Sequence, residues 1–322
     1  MGERGLSITS DHVTGAPAGG TGCSGASRAL PGRRRAWRRR LTGLLFAAPA
    51  TALVAVFVLY PVIGTFRISL TDWDGFSPDR TFIGFANYSS MFADSVFWDS
   101  VGRNVLYIAG LFVAVTIGFL IAVLLWTRPR GWVVFRTVFL VPEMMGASIV
   151  GIIWLQLWQP VSGGLAAIGK ALGIPFLASS PLANPQWAII VLVLTQVWAS
   201  TGFYVVISLG GLQNIDPNLL DAASVDGASR LQRLWHVVIP QMRPYLALMT
   251  MLAGIAGLRA FDLVWIMTAG GPGNATQLLG TSAYTMAFSR NEFGQAGAIA
   301  MTIVVLALVF TAITGRSNTR ES

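Results

Sequence analysis

The amino-acid sequence predicts an all-α, polytopic membrane protein with six transmembrane helices and one helical elbow outside the membrane. Composition is the first reason. The chain has 322 residues, of which 54% are hydrophobic and 11% charged, whereas soluble domains carry about 25% charged residues. The second reason is distribution. Apolar residues gather in six runs, near 41–60, 104–126, 135–158, 187–209, 245–268 and 296–314. Each is long enough to cross ~30 Å of hydrocarbon as a helix rising about 1.5 Å per residue. The net charge of +8 does not point to nucleic acid, because the arginines lie mostly at the ends of the apolar runs. The single cysteine, Cys23, excludes a disulfide framework within the chain and any multi-cysteine metal site.

Residues 1–32 are rich in Gly, Ser, Ala and Thr, lack periodicity, and are expected to be disordered. A basic flank, 33–40, holds Arg33 to Arg35 and Arg38 to Arg40 and precedes the first apolar run. The pair reads either as a signal peptide, with Ala47 to Ala50 as the small residues, or as an uncleaved first span; the five spans that come after it favour the anchor. The membrane domain is then 41–315, with a short tail at 316–322. With the N-terminus inside, the inner segments carry the Arg33–Arg40 block, Arg128, Arg130, Arg230, Arg233, Arg243, Arg316 and Arg320. The outer segments carry Arg67, Arg80, Lys170 and Arg290. The positive-inside rule therefore predicts that both termini face the cytoplasm.

Between the fourth and fifth spans lies a segment too polar to cross a membrane. Asp216 can cap a helix whose first residue is Pro217, and the helix is expected to run to Val225. Asp226-Gly227 breaks it, since Gly tolerates the positive φ of a turn. A second helix is expected to place Leu231, Leu234, Trp235 and Val238 on one apolar face and to stop at Pro240. The expected product is a helix–turn–helix elbow at the inner membrane surface.

Asp221, Ala222, Ala223, Gly227, Val237, Ile239 and Pro240 resemble the EAA loop of binding-protein-dependent ABC importer permeases, which reads E-A-A, three residues, Gly, nine residues, I-x-L-P. Three places depart conservatively: Asp for Glu, Val for Ile and Ile for Leu. In the family this loop is the coupling helix that docks on the cytoplasmic ATPase, so the resemblance assigns ATPase coupling to Asp221, Ala222, Ala223, Asp226, Gly227, Leu231, Leu234, Trp235 and Pro240. Phe82 to Tyr88, followed by Phe97-Trp98, is similar to the F-x-G-x-x-N-Y segment of carbohydrate-type permeases. As physics alone it is an interfacial aromatic segment. Thr268 to Thr276 resembles the T-x-G-G-P-x-x-x-T segment of sugar and glycerol-phosphate permeases.

Polar residues inside the spans are costly unless they face protein or water. Pro142, within the third span, removes one backbone hydrogen bond and is expected to kink that helix, and Glu143 beside it serves either a helix–helix contact or transport. Gln196, Ser200, Phe203 and Tyr204 on the fourth span, and Arg259, Phe261, Asp262 and Trp265 on the fifth, are candidates for the solute path. Aromatic faces stack on the C–H faces of a sugar while fixed polar groups meet its hydroxyls. Arg259 and Asp262, spaced i, i+3 on one helical face, can instead form an internal ion pair.

His12 lies in the tail expected to be disordered and His236 on the elbow, so no His pair is expected to bind a metal, and no G-x-x-x-x-G-K-[ST] phosphate loop occurs, so ATP hydrolysis is not expected of this chain. The resemblance implies a permease subunit that works with a second permease, two copies of an ATPase carrying ATP and Mg, and an extracytoplasmic solute-binding protein. The mechanism it implies is alternating access for a sugar-like solute in a bacterial inner membrane. The other classes are a secondary transporter driven by an ion gradient and a membrane-embedded enzyme. Few embedded carboxylates and no visible catalytic set speak against them.

Overall fold

The computed structural model describes residues 46–127 and 130–319. The expectations for the tail, the basic flank, residues 41–45, Arg128 and Arg320 fall outside the described residues. Contacts divide the chain into a unit ending at Phe57 and a unit from Val58. In the first, the described residues are helical, with exposed side chains except at half-exposed Ala55. The second holds the packed helices.

The architecture is all-α. Among the described residues, four helices are long and apolar enough to span a membrane: α1 (Phe46–Ser69), α3 (Ser95–Trp126), α7 (Ala188–Leu212) and the span of α12 (Phe293–Thr319). Two bent pairs, each counted as one broken span, bring the number to as many as six. The first is α4 (Trp132–Met144) with α5 (Ala147–Leu157), bent by 103°. The second is α9 (Arg230–Leu258) with α10 (Asp262–Thr268), bent by 43°. Shorter helices are α2 (Ala86–Ala93), α6 (Gly164–Leu172), α8 (Pro217–Val225) and α11 (Leu279–Tyr284). Among the described residues the strands are two dipeptides, Thr71–Asp72 and Thr81–Phe82, paired antiparallel.

Two expectations for the spans are corrected. The third span is not one helix kinked at Pro142. Pro142 stays inside α4, and the chain breaks at Met145 and Gly146, whose extended ψ values of 130° and 150° end one helix and open the next. The fifth span does not run unbroken to 268. It stops at Leu258, and Phe261, with φ −147°, stands between the two helices.

The helices α3 and α7 pack along most of their length. Gly118 allows this: a Cβ there would come within 2.7 Å of the Tyr204 Cβ and 3.1 Å of the Thr201 carbonyl oxygen. Around this pair lies a core of Tyr107, Leu111, Val150, Leu192, Val264 and Leu278. A second core at the elbow end unites Phe119, Leu125, Leu209, Leu212, Val238 and Met242. A third, at the opposite end, holds Met91, Phe97, Leu279, Met286 and Ile299.

The two loop motifs prove to be clamps. Asn87, buried, donates through Nδ2 to the carbonyls of Ser69 (2.9 Å) and Thr71 (3.0 Å). The Tyr88 hydroxyl lies 2.8 Å from Ser69 Oγ. The F-x-G-x-x-N-Y segment therefore ties off the end of α1, beyond its interfacial character. At the T-x-G-G-P-x-x-x-T segment, the hydroxyls of Thr268 and Thr276 meet at 2.7 Å, and Thr276 donates to the Gly271 carbonyl at 2.7 Å. The two threonines close the base of that loop. In the turn after α1, the backbone N–H and hydroxyl of Ser77 and the N–H of Phe76 all donate to Asp74, holding its carboxyl below the usual carboxylate range.

Candidate functional site

Two regions gather the residues singled out by sequence. The first is the elbow. Asp216 caps α8 by accepting from the Asn218 N–H at 2.9 Å, and Pro217 is its first residue, as the sequence predicts. The helix ends in paired closing bonds: the Ala228 N–H donates to the Ala223 carbonyl (3.0 Å) and the Gly227 N–H to that of Ser224 (3.1 Å). This arrangement needs a left-handed residue just beyond the helix, and Gly227 supplies it with φ +79°.

Ser229 then starts α9 with a capping box: its Oγ accepts from the Gln232 N–H while its own N–H donates to Gln232 Oε1. The S-x-x-Q spacing is its signal in the sequence, and it lies outside the expected caps. Arg233 joins the two arms by donating to Ser224 Oγ.

Pro240 does not stop the second arm. The helix runs through it into the membrane segment as Arg230–Leu258. A π turn at Leu234–Val238 lies just before it. The wider turn lets a residue without an N–H follow without the clash it meets in a regular α-helix. The elbow is thus continuous with a span.

The expected apolar face is divided. Val238 is buried and Leu234 packs against the same core, whereas Leu231 and Trp235 are 64% and 61% exposed. Val225 adds to the exposed apolar surface at 87%. Ala223, Asp226, Gly227, Gln232, Arg233 and His236 line a concavity of about 350 Å³ between the arms.

The second region is a cavity of about 300 Å³ lined by Tyr107, Gln196, Arg259, Phe261 and Asp262, with small and apolar neighbours. Tyr107, on α3 and buried, donates its hydroxyl to Gln196 Oε1 at 2.8 Å. Arg259 caps the end of α9, and Asp262 opens α10, where a carboxylate favours the helix N-terminus. The chain break between them removes the single helical face that would have paired them. No ion pair joins them; among the described residues the ion pair is Arg103–Asp99, at 3.4 Å.

The structure thus brings Gln196, Arg259, Phe261 and Asp262 together. It does not bring Ser200, Phe203, Tyr204 or Trp265 to the wall of this cavity. Ser200 turns back to the Gln196 carbonyl (2.8 Å), Tyr204 is buried against Gly118, and Trp265 stacks on Phe261 at 5.7 Å. Glu143 is exposed on α4.

Two residues escaped the sequence reading. Tyr107 sits among apolar residues of a long span, where nothing in the pattern separates it from core. Asn104 is 1% exposed; its Nδ2 donates to the Gly257 carbonyl (2.9 Å) and its Oδ1 accepts from the Leu279 N–H (2.7 Å). It joins the end of α9 to the start of α11 beside the cavity. A buried polar residue within a span was the available signal.

A bundle of broken and continuous spans, with a polar cavity inside and a capped elbow outside, defines a membrane transport permease. Residues 114–320 match the family described as binding-protein-dependent transport system inner membrane component, and the chain belongs to that family. A probable ABC transporter permease protein of Pyrococcus horikoshii is 34% identical over 269 residues, covering 83% of this chain and 91% of the relative. The multiple sugar-binding transport system permease protein MsmF of Streptococcus mutans is 32% identical over 265 residues, covering 82% and 90%. The fold is shared with a chain of a bacterial alginate ABC transporter solved with its alginate pentasaccharide-bound periplasmic protein. That match has a TM-score of 0.76 at 18% identity and covers 89% of this chain and 96% of that one. Family membership selects the ABC permease over the ion-gradient transporter.

Proposed function

We propose that this permease carries a sugar or sugar-like solute, received from an extracytoplasmic binding protein, to the cytoplasm by alternating access. The observation that carries the reading is the cavity. Its hydrogen-bonding groups on Tyr107, Gln196, Arg259 and Asp262 share the wall with the ring of Phe261, the combination that fits a molecule with hydroxyls on its rim and C–H groups on its faces. The name of the Streptococcus relative supports the same class. Arg259 and Asp262, not joined to each other, are then available to the solute.

The elbow at 216–240 is the docking surface for an ATPase subunit. Exposed Val225, Leu231 and Trp235 supply apolar contact, and the concavity around Gly227 supplies shape. Two ATPase copies with ATP and Mg, and a second permease, complete the importer, with both termini in the cytoplasm. ATP binding closes the ATPase pair, moves the elbow, and tilts the α9 span continuous with it. Hydrolysis resets the cycle.

Asp262→Ala tests the site. Losing a charge-assisted hydrogen bond to the solute is expected to lower uptake about tenfold or more, with little change in the amount of assembled complex. Uptake and assembly falling in parallel would return Asp262 to a structural role at the start of α10.

A further inference from the structure

One wall of the cavity continues beyond it. Phe261 stacks on Trp265 at 5.7 Å and 16° between planes. Trp265 meets Tyr284 at 4.4 Å, and Tyr284 meets Phe288 at 4.7 Å. Phe288 meets Phe293 at 5.8 Å, and Phe293 meets Trp73 at 5.5 Å. At the far end the Arg80 guanidinium lies 4.0 Å over the Trp73 ring. The six rings come from the break before α10 and from α10 itself, from α11 and the π turn that continues it, from the start of α12, and from the loop after α1. They begin at the cavity and end in the loop that precedes α2.

Packing of a core accounts for one ring of this row, Phe293, which lies against the third core. None of the six rings is buried, and Phe288 is 64% exposed. The anchoring of the outer rings is also specific. Trp73 Nε1 donates to the Ser77 carbonyl at 2.9 Å, and the Gly294 N–H donates to the Trp73 carbonyl at 3.2 Å. Both bonds hold Trp73 beside Phe293. Fixed, partly open rings lose little freedom on stacking with a ligand, and neighbouring rings at these spacings offer overlapping positions to a chain of pyranose units.

We propose that this row is a second, extended saccharide-binding surface, along which a linear oligosaccharide stacks between the loop carrying Trp73 and Arg80 and the cavity at Phe261. The inference rests on the proposed sugar function and extends it to solutes of more than one unit. Each rung binds weakly and non-directionally, so a chain slides from one to the next. Arg80 supplies hydrogen-bond donors to hydroxyls at the outer end. Affinity should rise with the number of sugar units, because longer chains cover more rings.

The test uses the complete importer, reconstituted in proteoliposomes with its binding protein. The probes are labelled maltose, maltotriose and maltotetraose, chitobiose, chitotriose and chitotetraose, and, as a non-saccharide, glycerol 3-phosphate. Tyr284→Leu and Phe288→Leu keep apolar bulk but remove the ring, and Phe288→Tyr keeps the ring. The two leucine variants are expected to raise KM for a transported trisaccharide by about three- to tenfold, the scale of one lost aromatic contact. The effect should be smaller for the disaccharide, kcat should be unchanged, and Phe288→Tyr should behave as wild type. An unchanged KM at every chain length, in variants of an importer that does transport one of these sugars, overturns the row alone. Loss of the second permease from the Phe288→Leu complex also overturns it, and assigns the rings to a subunit interface. Wild-type uptake of glycerol 3-phosphate without any of the saccharides overturns the sugar reading itself.

Discussion

Gly227→Pro is expected to abolish solute-stimulated ATP hydrolysis and uptake while leaving the chain in the membrane. Three features of the elbow oppose proline there. Gly227 has φ +79°, and the proline ring holds φ near −65°. Its N–H closes α8 on the Ser224 carbonyl, and proline has none. Asp226, just before it, sits at φ −71° and ψ 1°, a helical-side conformation that a following proline disfavours. Together these cost about 2–4 kcal/mol at the turn, enough to separate the two arms that Arg233 and Ser224 join. Space is not the obstacle, since nothing lies within 4 Å of a Cβ at this position. Gly227→Asn is therefore expected to retain most activity, because Asn visits the left-handed region far more readily than other side chains. Uptake and ATP hydrolysis measured on the reconstituted importer check both variants. Normal uptake by the proline variant at normal expression would remove the elbow from the coupling path.

Asn104→Leu is expected to produce the largest loss of stability. It leaves the Leu279 N–H without a partner in a buried place where water does not substitute, and it takes one bond from the Gly257 carbonyl, which keeps the Ala260 N–H at 3.3 Å. The orphaned N–H costs about 1–3 kcal/mol, and the bond lost at the Gly257 carbonyl about 0.5–1.5 kcal/mol more. Leucine has nearly the same size, so the effect is one of hydrogen bonding and not of volume. Asn104→Asp keeps the acceptor for Leu279 but sets a buried carboxyl oxygen against the Gly257 carbonyl, so it should also lose stability. Thermal unfolding of the purified protein in detergent, followed by tryptophan fluorescence, ranks the three. Equal midpoints for Leu and Asn would show that the bonds at Asn104 contribute nothing.

The two sites were legible to different degrees, for a physical reason. The elbow depends on local chemistry. Asp216, Pro217 and Gly227 act through their own backbone angles and through neighbours two to five residues away, so their roles could be read from the chain. Even there the π turn was invisible, and with it the passage of the helix through Pro240 and the division of Leu231, Leu234, Trp235 and Val238 between core and surface. The cavity depends on contacts between distant segments. Gln196, Arg259, Phe261 and Asp262 stood out because polar groups in apolar runs are costly, yet the same rule admitted Ser200 and Tyr204. Ser200 satisfies its hydroxyl within its own helix, and Tyr204 is buried against Gly118.

By itself the sequence determined the all-α membrane class, the apolar runs that carry the spans, and the position and first cap of the elbow. These follow from hydropathy and from short-range backbone preferences. Only the tertiary structure decided where the third and fifth spans break, that Arg259 and Asp262 stand apart, and that Tyr107 and Asn104 belong beside the cavity. It also decided that six rings from separate segments form one row. Each of these rests on packing between residues far apart in the chain, and neither periodicity nor spacing carries a record of which distant surfaces will meet.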